Sequence, residues 1–267
     1  MLERIDGKKI ATRVKDEIAR EIYQLKGSRP NLAIILVGER EDSKLYVSLK
    51  EKEAVLVGVD THTYKLDEKV SEDELLKIID FLNADATVDG ILIQLPLPAH
   101  LDTDKIIATL DPNKDVDGFH PEHPSYITSP VLAAISACLE EINFSAAGKS
   151  ACIFFNSEVF GSSAQTMLAK KGFTILPAEK SEQADVLVSA LGVPRAVTAK
   201  VIKNKAVLID IGTTKVDGQV LGDIDFESVK EKATYLTPVP GGIGPMTIAF
   251  LFKNVLEIFK RRHNLSS

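Results

Sequence analysis

Tyr46 and Lys50 stand four residues apart in the segment Ser43-Lys-Leu-Tyr-Val-Ser-Leu-Lys-Glu-Lys52. On a helix that spacing puts both side chains on one face. A phenol beside an ammonium makes an acid/base or carbonyl-polarising pair, and a lysine desolvated in a cleft exchanges protons near neutral pH. The same spacing also suits a solvated helix whose lysines point to water. Gln94 interrupts the apolar run Gly90-Ile-Leu-Ile-Gln-Leu95 near its carboxyl end, where open α/β sheets bind their ligands. Its neutral amide can bond a ligand or a nearby lysine without adding charge; satisfied by backbone, it is only structural. Asp117 precedes Gly118 in Lys114-Asp-Val-Asp-Gly-Phe-His-Pro121. A carboxylate there can accept two hydrogen bonds from an amino-pyrimidine edge, and Asp-Gly is equally a turn signal.

A further segment bears on ligand binding through its backbone. Thr237-Pro-Val-Pro-Gly-Gly-Ile-Gly-Pro-Met-Thr247 holds three prolines and three glycines in eleven residues. Proline fixes φ and glycine permits φ > 0, so this chain can turn sharply and approach a ligand closely. Exposed amides ahead of a helix suit an anionic or polar group. As a bare pattern it also fits a linker or turn.

The elements that position these residues follow from periodicity. Ile10 to Leu25 carries Ile10, Val14, Ile18, Ile22 and Leu25 on one helical face. Leu32–Val37, Thr61–Leu66 and Gly90–Leu95 read as strands, the first and third as buried parallel strands. Lys44–Val57 reads as a helix started by Ser43, and Ser71-Glu-Asp-Glu74 is a capping-box pattern opening a helix over Leu75–Asn83. The second half repeats the alternation: a helix over Pro130–Glu141, a strand over Lys149–Phe155, a helix over Ser163–Lys171, then strands at Phe173–Leu176, Val186–Ser189 and Ala206–Ile211. A closing amphipathic helix covers Thr247–Arg262. The expected fold is α/β with two domains and parallel sheets, the second Rossmann-like. The domains are expected at 1–125 plus 245–267 and at 126–244, with the Pro/Gly loop at a cleft between them.

Composition narrows the function classes. Hydrophobic residues make up 45% and charged residues 26% of the 267 residues, as in a soluble globular protein. A net charge of −6 argues against nucleic acid or an anionic membrane as main partner. The N-terminal residues show no signal-peptide core, and no apolar run is long enough to cross a bilayer. Cys138 and Cys152 lack metal-ligand spacing and sit among apolar residues, as reduced core thiols of a cytoplasmic protein do. The five histidines show no metal spacing either, so no metal site is expected.

Together these segments resemble the bifunctional methylenetetrahydrofolate dehydrogenase/methenyltetrahydrofolate cyclohydrolase family. The resemblance rests on Leu36-Val-Gly38, Ser43-x-x-Tyr46-Val-x-x-Lys50-x-Lys52, Gly90-Ile-Leu-Ile-Gln-Leu-Pro-Leu-Pro98 with His100, Lys114 to Pro121, Gly222-Asp-Ile-Asp-Phe226 and the Thr237–Thr247 loop. It implies a folate enzyme with Lys50 as general acid/base, Tyr46 stacking on or orienting the folate, Gln94 holding the lysine, and Asp117 anchoring the pterin. It implies substrate contacts at Leu95, Gly241, Gly242 and Pro245, a tetrahydrofolate substrate, and a homodimer built on the nucleotide domains.

On the nucleotide side the resemblance implies NADP as cofactor, held near Phe155, Asn156, Ser157, Gly161 and Thr213. Here the chain departs from the pattern. Phe155 replaces the glycine of the tight turn, and Asn156 replaces the arginine that would pair with the 2′-phosphate. NAD is therefore an alternative cofactor. The connection Pro177–Asp185 is shorter than the family's, as is the one ending at Ile127-Thr-Ser-Pro130. A monofunctional cyclohydrolase, a non-catalytic folate-binding paralogue and an unrelated shikimate-type dehydrogenase are the competing readings.

Overall fold

A computed structural model describes residues 2–25 and 27–265. The chain opens with β1 (Glu3–Arg4) and α1 (Gly7–Gln24), followed by β2 (Asn31–Val37), α2 (Glu41–Val57), β3 (Asp60–Leu66), α3 (Glu72–Ala84), β4 (Gly90–Ile93) and α4 (Thr103–Ala108). After a long loop come α5 (Pro130–Glu141), β5 (Ser150–Phe155), α6 (Glu158–Lys170), β6 (Thr174–Leu176), β7 (Val186–Ala190) and β8 (Val207–Asp210). A hairpin of β9 (Thr214–Val216) and β10 (Gln219–Leu221), then α7 (Phe226–Val229), β11 (Tyr235–Leu236) and α8 (Ile243–Arg262), complete the chain.

These elements form two compact α/β units, residues 12–130 with 248–267 and residues 1–11 with 131–247. The alternation of the sequence had pointed to this class. The division differs from the expected one at both ends. β1 pairs in parallel with β11, Glu3 opposite Tyr235, so the first residues belong with the nucleotide unit. The other junctions fall at Pro130 and Thr247 rather than near 125 and 245.

The first unit holds a three-stranded parallel sheet in the order β3-β2-β4. β2 is central and buried almost throughout, which explains its uninterrupted apolar run. Ala33, Ile35 and Val37 of β2 pack with Ile91 and Ile93 of β4 and with Leu75, Ile79 and Leu82 of α3. α3 starts at Glu72, three residues before its first buried leucine, because the Ser71 hydroxyl caps the helix by accepting from the Glu74 amide at 3.3 Å. Lys114 is buried, and its ammonium donates to the carbonyls of Leu82 and Asp85 at 2.8 and 2.6 Å. It thereby satisfies carbonyls left open at the carboxyl end of α3.

The second unit holds a six-stranded parallel sheet in the order β1-β11-β8-β7-β5-β6. From β5 the chain steps outward to β6 and then returns to β7 on the other side. The switch point therefore lies between the ends of β5 and β7.

Three helix starts differ from the expected ones. α2 begins at Glu41, and Ser43 is buried inside it. α6 begins at Glu158 rather than Ser163, because Ser157 caps it by accepting from the Phe160 amide. α8 begins at Ile243 and takes Pro245 into its first turn, where a missing amide costs nothing.

Candidate active site

Lys50 owes its setting to the stripe on which it sits. Ser43, Val47, Ala54 and Val57 are the buried residues of α2. Lys50 lies three residues after Val47 and four before Ala54, so it falls on the same stripe and faces the sheet. Its Nζ donates to Gln94 Oε1 at 2.9 Å. Gln94 in turn donates through Nε2 to the Leu95 carbonyl at 2.8 Å, which fixes the amide so that its oxygen faces the lysine. Burial lowers the Lys50 pKa from its ordinary value, and the Asp117 carboxylate acts in the opposite direction.

Gln94 follows the last residue of β4, and its amide still bonds the Ile35 carbonyl at 2.9 Å. The strand ends at Ile93 rather than Leu95, and a cis Leu95-Pro96 bond follows. Asp115 bridges Ile91 in parallel, and the Lys114 carbonyl accepts from the Ile91 amide at 2.8 Å. Asp117 follows two residues after this bridge and acts by charge on Lys50, the donor to Gln94. Burial pushes the Asp117 carboxyl up to about 6, with Lys50 lowering it and Asp115 raising it. Gly118 follows at φ +71°, where an added Cβ would lie 2.3 Å from the Ile127 carbonyl oxygen. Only glycine fits there. Tyr46 is 42% exposed on the same helix face as Lys50.

The structure therefore brings Lys50, Gln94 and Leu95 into one hydrogen-bonded chain, with Asp117 acting on the lysine by charge. Gly241, Gly242 and Pro245 belong to the second unit. Gly241 adopts φ +104° after a cis Val239-Pro240 bond. Gly242 passes so close to Gly7 that a Cβ on Gly7 would lie 1.9 Å from the Gly242 carbonyl oxygen.

The expected nucleotide residues lie at the switch point or near it. The Asn156 side chain donates to the Leu191 carbonyl at 2.9 Å, tying the ends of β5 and β7 together. A Cβ at Gly161 would lie 2.6 Å from the Phe155 ring, so that ring fills the space over the first turn of α6. Ser157 caps the same helix. Thr213 is exposed, and its hydroxyl donates to the Ile211 carbonyl at 3.3 Å. The start of α6 at this switch point offers backbone amides to a dinucleotide's phosphates, while the Phe155 ring covers Gly161 where close backbone approach would be needed. Asn156 brings no cation to a 2′-phosphate.

Sequence reasoning passed over two buried carboxylates in this unit. Asp223 accepts from the Leu191 and Val193 amides at 2.6 and 2.9 Å and from the Ser189 hydroxyl at 2.9 Å, so it shapes the loop after β7. Asp210 accepts from the Asp223 and Ile224 amides at 3.1 and 2.9 Å. Burial, with Asp223 adding to it, pushes the Asp210 carboxyl up from 3.8 to about 7, against the pull of the backbone amides. The folded protein therefore keeps a proton that the unfolded chain releases. The associated stability is fully present below about pH 3.8 and is lost as pH rises through 7. Thermal unfolding should show a midpoint that falls between about pH 4 and pH 7. Asp210→Asn should flatten that fall, and an unchanged slope in the variant would assign it to another group.

Cys138 and Cys152 are free and buried, with thiols pushed up by burial to about 12 and about 11. Among the described residues no group of three or more His, Cys, Asp or Glu is placed to hold a metal ion. None of the described helices is long and apolar enough to cross a membrane.

A lysine–amide pair with a buried carboxylate acting on the lysine, in a chain whose other unit has nucleotide-binding topology, defines a two-unit α/β enzyme of the nicotinamide-linked type. The family model for the tetrahydrofolate dehydrogenase/cyclohydrolase catalytic domain matches residues 5–117, and the model for its NAD(P)-binding domain matches residues 129–263. The chain belongs to the tetrahydrofolate dehydrogenase/cyclohydrolase family. It is 42% identical to the bifunctional protein FolD of Sulfurihydrogenibium sp. over 97% of this chain and 98% of that one. Identity to the bifunctional protein FolD of Exiguobacterium sibiricum is 40%, over 96% and 99% of the two chains. The structure of the bifunctional FolD enzyme from Campylobacter jejuni superposes with a TM-score of 0.93 at 33% identity, covering 98% of this chain and 100% of that one. The Trypanosoma brucei enzyme, solved with NADP and an inhibitor, gives a TM-score of 0.91 at 32% identity over 97% and 98%.

Proposed function

We propose that this chain oxidises 5,10-methylenetetrahydrofolate to the 5,10-methenyl cation with a nicotinamide dinucleotide and then hydrolyses that cation to 10-formyltetrahydrofolate. The observation that carries the reading is the half-buried Lys50 held by the Gln94 amide with Asp117 nearby. Relatives named as bifunctional over nearly the whole chain support two activities rather than hydrolysis alone.

The residues divide the work by their chemistry. Asp117, as a carboxylate, accepts two hydrogen bonds from the pterin's amino-pyrimidine edge. Tyr46 lays its ring along the folate. Desolvation raises the neutral fraction of Lys50, so the amine can take the proton of the attacking water. Water adds to the methenyl carbon, and the tetrahedral adduct collapses with cleavage of one carbon–nitrogen bond. The Lys50 proton goes to the departing nitrogen. Gln94 holds the amine in place through both steps without competing for its proton. Leu95, Gly241, Gly242 and Pro245 would line the folate. When bound, the nicotinamide ring accepts the hydride; Phe155, Asn156, Ser157, Gly161 and Thr213 would hold its dinucleotide.

Two further readings rest on the family and on the cysteines. A homodimer built on the nucleotide units is the expected assembly. Two buried free thiols accord with the reducing cytoplasm.

Paired steady-state kinetics test the proposal. Methylenetetrahydrofolate with NAD or NADP should yield reduced nucleotide, and methenyltetrahydrofolate should hydrolyse above its spontaneous rate. Hydrolysis alone would reduce the reading to a monofunctional cyclohydrolase, and silence in both assays would end it.

A further inference from the structure

Asp115 is 2% exposed, and most of the partners of its carboxylate are backbone amides. The carboxylate gathers the chain that follows it. Oδ1 accepts from the Asp117 and Gly118 amides at 3.1 and 3.0 Å. Oδ2 accepts from the Phe119 and His120 amides at 2.6 and 3.2 Å. Four successive amides are thus held by one carboxylate. The backbone of Asp115 is itself pinned to the sheet by its bridge to Ile91. The carboxylate therefore carries the geometry of β4 into the loop that bears Asp117.

His120 closes the arrangement. Its Nδ1 lies 2.8 Å from Asp115 Oδ2 and donates to it, while its Nε2 is buried with no hydrogen-bond partner. The ring's hydrogen bonding is thus directed wholly at Asp115. A carboxylate oriented by an imidazole donor and four amides has its lone pairs directed and little freedom to rotate.

We propose that Asp115, oriented by His120, is a positioning residue that sets the direction of the Asp117 carboxylate. The inference rests on the reading of Asp117 as the folate anchor. Two charged groups act on Asp117: Lys50 from α2, which favours its ionised form, and Asp115 from its own loop, which opposes it. Asp115 thus holds Asp117 in place while countering part of the pull of Lys50. Folate capture requires the ionised Asp117, so its affinity falls on the acid side.

Three variants test this: Asp115→Asn, His120→Gln and Asp117→Asn. The readouts are methenyltetrahydrofolate hydrolysis across pH, folate affinity by calorimetry, and thermal midpoint. Asn at 115 keeps the size but loses one accepting atom and the charge. It should raise KM about tenfold with kcat changed far less, the scale of one charge-assisted hydrogen bond. The acid limb of kcat/KM should move to lower pH, because the opposing charge is gone. A purely scaffolding role would lower the thermal midpoint and leave KM and the acid limb as in wild type, which would overturn the proposal. Should Asp115→Asn fail to fold, His120→Gln decides the matter: it should raise KM several-fold at unchanged kcat, and a wild-type KM would be the negative result. Asp117→Asn separates the two levels. If it binds folate as tightly as wild type, the anchoring reading fails, whatever Asp115→Asn does.

Discussion

Lys50→Ala should lose methenyltetrahydrofolate hydrolysis by a factor on the order of 10²–10⁴, the range of a positioned general acid/base, while folate affinity falls far less and chiefly on the acid side, where Asp117 loses the charge that favours its ionised form. The expectation follows from the surroundings of the amine. Its hydrogen bond goes to a neutral amide oxygen, and burial disfavours its charged form. Lys50→Arg sharpens the test. Arginine keeps the positive charge and the reach, but it does not release its proton in proteins. If the group works by proton transfer, arginine should be nearly as inactive as alanine. If it works only by charge, arginine should restore much of the rate. Alanine removes a desolvated charge but leaves Asp117 without its opposing charge and Gln94 Oε1 without its donor, so the thermal midpoint is read beside the rate. A thermal midpoint several degrees below wild type would mean that the lost activity reports misfolding.

Asn156→Arg should raise affinity for NADP by about tenfold to a hundredfold relative to NAD, the range of one or two charge-assisted contacts to a phosphate. In the native chain the Asn156 amide is spent on the Leu191 carbonyl across the ends of β5 and β7. It offers no charge to a 2′-phosphate. Titration of nucleotide binding by calorimetry reads the effect independently of turnover. Equal changes in NAD and NADP affinity would show that residue 156 does not meet the 2′ position. Removing the Phe155 ring as well tests a separate point. With the ring gone from above Gly161, both nucleotides should gain affinity together.

The sequence showed the elements more clearly than their ends. Apolar runs such as Leu32–Val37 marked the buried parallel strands, because a strand covered on both faces needs no polar alternation. Helix starts were missed wherever a cap or a proline replaced an apolar residue, as at Ser157 and Pro245. The β9–β10 hairpin carries the signal Val216-Asp-Gly-Gln219, with both turn residues at positive φ, and could have been read from that pair. β1 and β11 were beyond reach: each has two residues, too short to show a period, and β1 finds its partner more than two hundred residues away. The site was legible for a different reason. Lys50 interrupts the apolar stripe of Val47, Ala54 and Val57, and Gln94 interrupts an apolar strand run. Such breaks in pattern are where function displaces packing. Asp115 stayed hidden because its partners are backbone amides, which every residue type supplies.

The pairing of β1 with β11 also bears on how the chain is made. Glu3 leaves the ribosome well before its partner Tyr235, which is synthesised 232 residues later. At ordinary translation speeds that interval is roughly 10 to 50 s. Throughout it, β1 has no β11 to pair with. The unit bearing Lys50 also waits, since it is completed by residues 248–267. Neither unit can mature as an independent early domain, so the nascent chain has reason to engage a holding chaperone until its last helix emerges.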